Sequence, residues 1–442
     1  MSSSFSIHHP KIHPDRSSKV KADNTPSDND RVEIGPTALA YKEWADAGLT
    51  CPDLPRMRQF RLDRLVQEIN RRDLAGVLLY DPLSIRYATD TTNMQVWAAH
   101  NPFRACMVLA DGYMVLWDYG GYPYLSDYNP LVKEVRSGAS FFYFATSDRT
   151  EEKAALFASQ IAELLQQRAG SNRRLAVDKI QIAGLRALDK LNIIVEDGEE
   201  LMERTRAIKG PDEIDAMRCA MWACEQSVAS MQNYVKPGLC ENDVWAELHR
   251  ENIRRGGEWI ETRLLSSGPR TNPWFQESGP RIIQNNELLA FDTDLIGCYG
   301  MCADISRTWF VGDGQPTIRQ REMHQIAYDQ IKTNTELVKP GMSFKELAHH
   351  CQPLPEKYLP QRYSSCFHGV GLCDEWPAIK YPIDWEERGY DGVLEPGMML
   401  CVEAYVGEVG GPDGIKLEDQ VLVTEEGVEN LTTYPFDPKL MA

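Results

Sequence analysis

In the first half of the chain, segments with the three- and four-residue apolar spacing of helices alternate with short apolar runs typical of strands. The predicted elements are, in order, a helix at 57–73, strands at 75–81, Ile85–Tyr87, Ala105–Leu109 and Tyr113–Trp117, a helix at Glu151–Gln167 and a strand at Leu175–Val177. Helices that alternate with strands indicate an α/β domain. We place this domain at residues 31–205, after a polar segment at 1–30 that we interpret as a flexible arm.

The second half begins at a predicted helix start, Pro211, where a proline in the first turn is followed by two acidic residues. Long predicted helices at Ile214–Tyr234 and Ile318–Leu337 each end at the tetrapeptide Val-Lys-Pro-Gly, and a shorter helix follows each one. A chance recurrence of a Pro-Gly helix stop is the alternative, but the matched flanking helices favour two similar halves within one domain at 206–442. The predicted fold class is therefore α+β, with a smaller α/β domain preceding this larger one.

The segment Phe291–Thr308 combines a predicted hairpin with three acidic residues. Two apolar-flanked runs surround a glycine-containing turn at Gly297–Gly300, which is the pattern of a β-hairpin. Asp292 and Asp294 stand two positions apart and so share one face of the first strand, and Asp304 can lie across from them. Three carboxylates facing one space repel each other unless a cation neutralises them. Solvated loop acids are the alternative, whereas the apolar flanks favour a buried metal site.

Three later segments add side chains that bind metals. His368 lies between apolar residues and glycines, Glu403 is embedded in an apolar strand, and Glu418 falls in a half-buried strand. A structural histidine and an exposed strand acid are the alternatives for His368 and Glu418 taken singly, but a buried carboxylate such as Glu403 needs a partner. The candidate metal ligands are Asp292, Asp294, Asp304, His368, Glu403 and Glu418. Their five carboxylates carry −5 and two divalent cations carry +4, so such a site is nearly balanced, and its donors suit Mn, Fe, Co or Zn.

The overall composition limits the kinds of partner. The net charge of −18 over 442 residues argues against nucleic acid or an anionic membrane as the main partner. The sequence contains neither the apolar run of ~18 residues that a transmembrane helix needs nor the apolar segment of a secretory signal. The eleven cysteines are scattered and include no Cys-x-x-Cys pair, which suits reduced thiols. We therefore expect a cytoplasmic protein.

Several motifs together resemble the metallopeptidase family of methionine aminopeptidases, prolidases and creatinase. The matching segments are KGPDEIDAMR, SGPRTNP, the acidic hairpin, FHGVGL, LEPGMMLCVEAYV and GIKLEDQVLVTEEGV, within roughly residues 55–435. The resemblance implies the pita-bread fold for the second domain, a creatinase-like first domain, a homodimer and a dinuclear metal centre. Carried over by position, the ligands that it implies are Asp294, Asp304, His368, Glu403 and Glu418.

Three departures separate this chain from the peptidases. That family spaces its hairpin aspartates eleven positions apart, but the residue eleven before Asp304 is Thr293, which has an aspartate on either side. Both aspartates can therefore reach the metals, giving six ligands. Asp374 stands where prolidases carry a catalytic histidine, and the segment that precedes the family's other active-site histidine ends here in Trp274. A chain that keeps the metal ligands and lacks both histidines resembles the DddP-type dimethylsulfoniopropionate lyases of marine bacteria.

The lyase resemblance implies cleavage of dimethylsulfoniopropionate to dimethyl sulfide and acrylate by base-catalysed β-elimination, with iron as the expected metal and Mn, Zn, Co or Ni left open. Asp374 is the candidate base. Because a sulfonium group favours aromatic faces, aromatic residues beside the motifs or in the first domain are candidates for substrate binding, with ordinary core packing as the alternative: Trp274, Tyr363, Trp376 and Trp97.

Two other functions compete with the lyase. A prolidase-like metallopeptidase uses the same metals, but the missing His-Glu motif counts against it. Some proteins keep this fold as a peptide- or histone-binding module and lose the metal ligands, whereas here all the ligands are present.

Overall fold

The computed structural model describes residues 34–119 and 125–441 and divides the chain into two compact units. Within the described residues, the first unit consists of Ile34 and Pro52–Arg206, and the second consists of Gly35–Cys51 and the residues from Ala207 onward. The arm predicted at residues 1–30 lies outside the described residues.

Helix α1 (Ala38–Asp46) belongs to the second unit, although the sequence analysis placed its residues in the first domain. The side chain of Trp44 is fully buried, and its Nε1 donates a hydrogen bond to the carbonyl of Cys219 at 3.0 Å. Its indole also stacks on Tyr299, with ring centroids 5.8 Å apart. Because these contacts join residues far apart in sequence, local apolar patterns give no sign of them.

The first unit is built on a mixed six-stranded sheet with the order β4-β3-β2-β1-β5-β6. Its strands are β1 Gly76–Leu79, β2 Ala105–Leu109, β3 Met114–Trp117, β4 Val132–Arg136, β5 Arg174–Val177 and β6 Ile194–Asp197. The helices of this part of the chain are α2 Leu54–Arg71, α3 Pro82–Thr89, α4 Gln95–Ala98, α5 Tyr143–Thr146, α6 Thr150–Arg168, α7 Ile182–Asp189 and α8 Glu199–Ala207. The strands predicted at Ala105–Leu109 and Tyr113–Trp117 are confirmed as β2 and β3, which pair in antiparallel orientation.

The strand predicted at Ile85–Tyr87 is wrong, because these residues lie inside α3. Asp81 caps this helix by accepting hydrogen bonds from the backbone N–H groups of Leu83 and Ser84 at 3.1 and 3.0 Å. A proline in the first turn adds a fixed helical φ. The capping residues therefore outweigh the β-branched and aromatic side chains that favoured a strand.

The second unit contains an eight-stranded sheet with the order β14-β13-β15-β16-β12-β9-β8, in which β17 also pairs with β16, and a three-stranded sheet with the order β11-β10-β7. Its strands are β7 Trp259–Ile260, β8 Leu265–Ser267, β9 Glu287–Asp292, β10 Leu295–Ile296, β11 Cys302–Ala303, β12 Ser306–Val311, β13 Phe367–Val370, β14 Asp374–Ile379, β15 Met399–Gly407, β16 Gly414–Val423 and β17 Val428–Asn430. Its further helices are α9 Pro211–Tyr234, α10 Glu241–Arg255, α11 Ile318–Leu337, α12 Phe344–His350, α13 Trp385–Arg388 and α14 Pro438–Met441.

The two Val-Lys-Pro-Gly segments have the same backbone geometry. Each valine caps a long helix in extended conformation, and the glycines Gly238 and Gly341 both take positive φ angles, 95° and 83°. The N–H of Gly238 donates to the carbonyl of Ile283 at 2.9 Å, and that of Gly341 donates to the carbonyl of Leu394 at 2.8 Å. This match is what two copies of one structural unit would give.

The two central strands of the large sheet, β15 and β16, have one apolar and one mixed face. Alternate residues such as Val402, Ala404 and Leu417 belong to the hydrophobic core, together with residues of α11 such as Met323. The residues between them point to the opposite face, because side chains alternate along a strand. That opposite face carries Glu403 and Glu418.

Among the helices in the described part of the chain, none combines the length and apolar character needed to cross a bilayer.

Candidate metal centre

Four of the candidate ligands, Asp292, His368, Glu403 and Glu418, lie on strands of the large sheet, and the strand register brings them to one face. The backbone pairs Asp292 with Ser306, Ser306 with Glu418, and Glu418 with Glu403, so these residues form a row across β9, β12, β16 and β15. His368 on β13 pairs with Cys401, two residues before Glu403. All six candidate ligands are buried. The sheet therefore gathers side chains that are far apart in sequence into one water-poor space.

The acidic hairpin differs in one detail from its prediction. Strand β9 ends at Asp292, and Asp294 follows it with a left-handed φ of 36° instead of continuing the strand. Between them, the Thr293 hydroxyl donates to the carbonyl of Ala303 at 2.8 Å and accepts from the N–H of Ile305 at 2.9 Å. The Thr293 hydroxyl is thus occupied by hydrogen bonds to the backbone. The two aspartates are brought together by the turn, and not by a shared strand face.

Both aspartates accompany Asp304. Ligand atoms of Asp292, Asp294 and Asp304 all lie within 4.8 Å of one another. The hydroxyl of Thr262 donates to Asp294 Oδ2 at 2.6 Å and fixes that carboxylate. The proposal of six ligands therefore has a geometric basis.

We expect Asp292→Asn and Asp294→Asn to lower bound metal to a similar degree, because each removes a charged oxygen donor from the same group. Metal analysis of the purified variants by mass spectrometry measures this effect. Asp313→Asn, which changes an exposed aspartate just beyond β12, is the matched control. If Asp292→Asn keeps the full metal content while Asp294→Asn loses it, the centre has five ligands.

His368 has two differently placed ring nitrogens. Its Nε2 lies 3.1 Å from Glu403 Oε1, 3.5 Å from Glu418 Oε1 and 3.8 Å from Asp304 Oδ2. Its Nδ1 lies 3.1 Å from the carbonyl oxygen of its own neighbour Gly369 and 3.6 Å from Asp374 Oδ1. An Nδ1–H donated outward leaves the Nε2 lone pair for a metal, which is the usual arrangement of a ligating histidine.

Asp374 itself is half exposed, with 56% of its side chain accessible, while lying beside a buried histidine. It stands at the first position of β14, where its carboxylate borders the metal-binding cluster without belonging to it. This position suits a group that exchanges protons with a substrate.

In the metal-free protein, burial and mutual repulsion disfavour the ionised form of several of these carboxylates. Burial, and then the charge of Glu418, raises the pKa of Asp292 to about 8. Burial and neighbouring carboxylates also hold the pKa values of Asp294 and Asp304 well above their usual range. Glu418 is the exception: burial opposes its ionisation, but Lys416 and His368 outweigh burial and hold its pKa well below the usual range. A bound divalent cation would relieve this repulsion.

Lys416 is a site residue that the sequence analysis missed. The side chain is fully buried, and its Nζ lies 2.7 Å from Glu403 Oε2, 3.0 Å from Asp292 Oδ2 and 3.1 Å from Glu418 Oε2. It also donates a hydrogen bond to the Ser306 hydroxyl at 2.6 Å. The signal was available, because a residue two positions before Glu418 in a strand shares its face.

Lys416 and His368 lie next to different carboxylate oxygens of the same two glutamates. The lysine contacts the Oε2 atoms of Glu403 and Glu418, whereas the histidine faces their Oε1 atoms. The buried lysine thus fixes one oxygen of each glutamate and leaves the other directed at the cluster.

We expect Lys416→Met to weaken metal binding by ~10–100-fold, the usual effect of removing a group that orients metal ligands. Lys416→Arg keeps the positive charge and should retain most of the affinity. Calorimetric titration of chelator-stripped protein with Mn²⁺ measures both variants. Metal binding by Lys416→Met as tight as in the wild type would mean that the ammonium competes with metals instead of orienting their ligands.

Of the predicted aromatic residues, Tyr363 and Trp274 border the cluster. The rings of Tyr363 and Trp274 lie 4.6 and 5.8 Å from Lys416 Nζ. Trp376 packs on Phe344 at the edge of the hydrophobic core, with ring centroids 5.2 Å apart. Its role in substrate binding remains a prediction.

Trp97 belongs to the first unit, where its ring packs against Phe103 at 5.3 Å and Phe142 at 6.2 Å. Its part in substrate binding also remains a prediction.

The donor atoms fit divalent metal ions. Glu418 Oε1 is buried without a hydrogen-bond partner, 3.5 Å from His368 Nε2. Ligand atoms of Asp304, His368, Cys401 and Glu418 form a second group within 4.8 Å of one another. The thiol of Cys401 was not foreseen as a neighbour of the cluster, although it stands two residues before Glu403 on the same strand face. Carboxylate oxygens with one imidazole suit Mn, Fe, Co or Zn.

Comparison with known proteins finds a family and named relatives. Residues 215–425 match the sequence model of a family described as Metallopeptidase family M24. Over 436 residues, the chain is 59% identical to the dimethylsulfoniopropionate lyase DddP of Roseovarius nubinhibens, covering 98% of both sequences. It is 54% identical to the lyase of that name from Roseobacter denitrificans, covering 98% of this chain and 97% of that one.

This chain belongs to the DddP family. Its fold is the pita-bread fold, preceded by a smaller α/β domain. A solved Xaa-Pro dipeptidase from Bacillus anthracis matches this DddP-family chain with a TM-score of 0.69, 21% sequence identity and coverage of 86% of this chain and 99% of the other. At that identity the likeness concerns the fold.

Proposed function

We propose that this chain is a metal-dependent lyase that cleaves dimethylsulfoniopropionate to dimethyl sulfide and acrylate. The observation that carries the proposal is the 59% identity to a named lyase over 98% of both chains. The buried cluster of carboxylates and one histidine supports it, because a lyase of this type needs a cation to hold the carboxylate of its substrate.

We propose two divalent metal ions, on the basis of charge. The five candidate carboxylates contribute −5 and the buried Lys416 contributes +1, leaving −4, which two divalent cations with +4 neutralise. Without Lys416, the five carboxylates would carry one more charge than two divalent cations neutralise. Iron is the metal that we propose from the lyase resemblance, and Mn, Zn, Co or Ni could use the same donors.

The chemistry is a β-elimination, in which a metal ion held by the candidate ligands would supply Lewis-acid polarisation of the substrate carboxylate. We propose that Asp374 accepts the proton from the carbon next to that carboxylate. The electron pair of the broken C–H bond forms the C=C bond of acrylate. The C–S bond breaks, its electrons stay on sulfur, and dimethyl sulfide leaves as a neutral molecule. Asp374 then returns its proton to water.

We propose that Tyr363 and Trp274 bind the sulfonium end of the substrate. Their rings already face one cation, the ammonium of Lys416, at 4.6 and 5.8 Å. A good cation–π contact contributes ~0.5–2 kcal/mol. The small zwitterionic substrate would thus meet aromatic faces at its positive end and metals at its negative end.

We also propose a cytoplasmic homodimer. The dimer follows from the resemblance to creatinase-like proteins, and the location follows from the scattered cysteines, which suit a reducing compartment. Gel filtration with light scattering tests the dimer: a mass twice that of the chain is expected, and the mass of one chain would contradict it.

The function is tested by incubating the metal-loaded protein separately with dimethylsulfoniopropionate and with an Xaa-Pro dipeptide. Dimethyl sulfide in the headspace of the first reaction and no proline in the second is the expected result. Proline release without dimethyl sulfide would instead favour the prolidase-like peptidase.

A further inference from the structure

The candidate base Asp374 stands at the tip of a hairpin whose backbone is irregular. Strands β13 and β14 pair Val370 with Asp374 and Gly369 with Glu375, but the register shifts between His368 and Gly369, whose partners on β14 are Ala378 and Glu375. Such a break in the ladder, like a β-bulge, changes the direction of the side chains beside it. The distance of 3.6 Å between His368 Nδ1 and Asp374 Oδ1 therefore depends on what fixes this tip.

The carboxylate of Glu375 fills the inside of that tip. Its Oε1 accepts a hydrogen bond from the backbone N–H of Leu372 at 3.0 Å. At Gly371 a Cβ atom would meet the same carboxylate at 2.4 Å, so a larger residue there would have to displace it. Glu375 points inward while its neighbour Asp374 points outward, as alternation along a strand requires.

A further partner of this carboxylate comes from a distant part of the chain. Lys209 Nζ lies 2.9 Å from Glu375 Oε2, and the two side chains are 4% and 1% exposed. The backbone N–H of Lys209 donates to the carbonyl of Gly397 at 2.9 Å, in the turn that leads into β15 and so to Glu403. Lys209 thus links the strand of one candidate metal ligand to the hairpin of the candidate base.

We propose that the buried Lys209–Glu375 ion pair is a positioning device that holds Asp374 at its catalytic place beside His368. The inference rests on the proposed lyase function. Both charges are withdrawn from water, so removing one of them takes away the ion pair that offsets the burial of the other, whereas replacing both with neutral groups of similar size is tolerated far better. The pair acts through geometry and touches neither the substrate nor the candidate metal ligands.

The test uses the metal-loaded enzyme and measures dimethyl sulfide release, bound metal and thermal unfolding. Lys209→Met should lower kcat by at least ~10-fold, up to the ~10²-fold that a displacement of 1 Å can cause, with KM and metal content near wild type. The neutral pair Lys209→Met with Glu375→Gln keeps an acceptor for Leu372 and should recover most of that loss. Arg218→Met, which breaks a partly exposed ion pair with Glu429, is the control and should leave kcat unchanged.

A second background separates positioning from general damage. If Lys209 acts through Asp374, then Lys209→Met should not lower the residual turnover of an Asp374→Asn enzyme any further, because the group that it positions is already disabled. An additional loss of tenfold or more there would overturn the proposal, as would wild-type kcat in folded Lys209→Met.

If Lys209→Met does not fold, the neutral pair decides: a folded, metal-loaded protein with kcat within ~3-fold of wild type is expected, and a loss like that of Asp374→Asn contradicts the inference. A wild-type enzyme that releases no dimethyl sulfide would count against the proposed function instead.

Discussion

Asp304→Ala and His368→Ala are each expected to lower bound metal and to reduce dimethyl sulfide release by ~10³-fold or more. Both side chains belong to the group of buried donors that also contains Glu418. Losing one donor opens a coordination position and leaves the neighbouring carboxylates poorly compensated. Lewis-acid catalysis supplies several kcal/mol of transition-state stabilisation, and each 1.36 kcal/mol corresponds to tenfold in rate.

Metal content and headspace dimethyl sulfide should be measured on the same preparations. His350→Ala, which removes an exposed histidine in the same unit, controls for nonspecific loss. Full metal occupancy with normal turnover in either variant would remove that residue from the centre.

Asp374→Asn should reduce dimethyl sulfide release by ~10²–10⁴-fold while leaving bound metal and thermal stability near wild type. Asparagine keeps the size of the side chain and much of its hydrogen bonding, but it cannot accept the substrate proton. The carboxylate lies outside both groups of candidate ligands, so its loss does not open a coordination position.

The 3.6 Å contact with His368 Nδ1 offers a different role, in which Asp374 orients the ligating histidine. A variant that loses metal together with activity would favour that role. Near-wild-type turnover would exclude Asp374 as the base and direct attention to Tyr363. Asp391→Asn changes an exposed aspartate elsewhere in the unit and serves as the control.

The strands that carry the site could be predicted from sequence because their patterns are strong. Strand β15 is an apolar run interrupted by Glu403, and a carboxylate in such a run needs a buried partner. Strand β16 alternates apolar with polar residues such as Glu418, which is the pattern of a strand with one core-facing side. The paired Val-Lys-Pro-Gly stops likewise indicated two halves. A local pattern is sufficient to predict an element and its site residue where the apolar spacing and the chemistry of the side chains agree.

Other parts of the site depend on contacts that a local pattern does not contain. The left-handed turn at Asp294 breaks the strand periodicity on which its prediction relied. The packing of Trp376 on Phe344 joins β14 to α12, and no local pattern distinguishes that tryptophan from Tyr363. Lys416 shares the strand face of Glu418 by the two-residue period, but a lysine is a cation and does not resemble a metal ligand.

The central claim is that this chain performs a metal-dependent elimination on a sulfonium carboxylate. Its most direct test is proton NMR of dimethylsulfoniopropionate mixed with chelator-stripped protein, before and after divalent metal is restored. We predict no reaction without metal, and equal amounts of acrylate and dimethyl sulfide once metal is added. Three results would contradict the account. They are unchanged substrate in the presence of fully metal-loaded protein, 3-hydroxypropionate in place of acrylate, and equal turnover in the chelator-stripped protein.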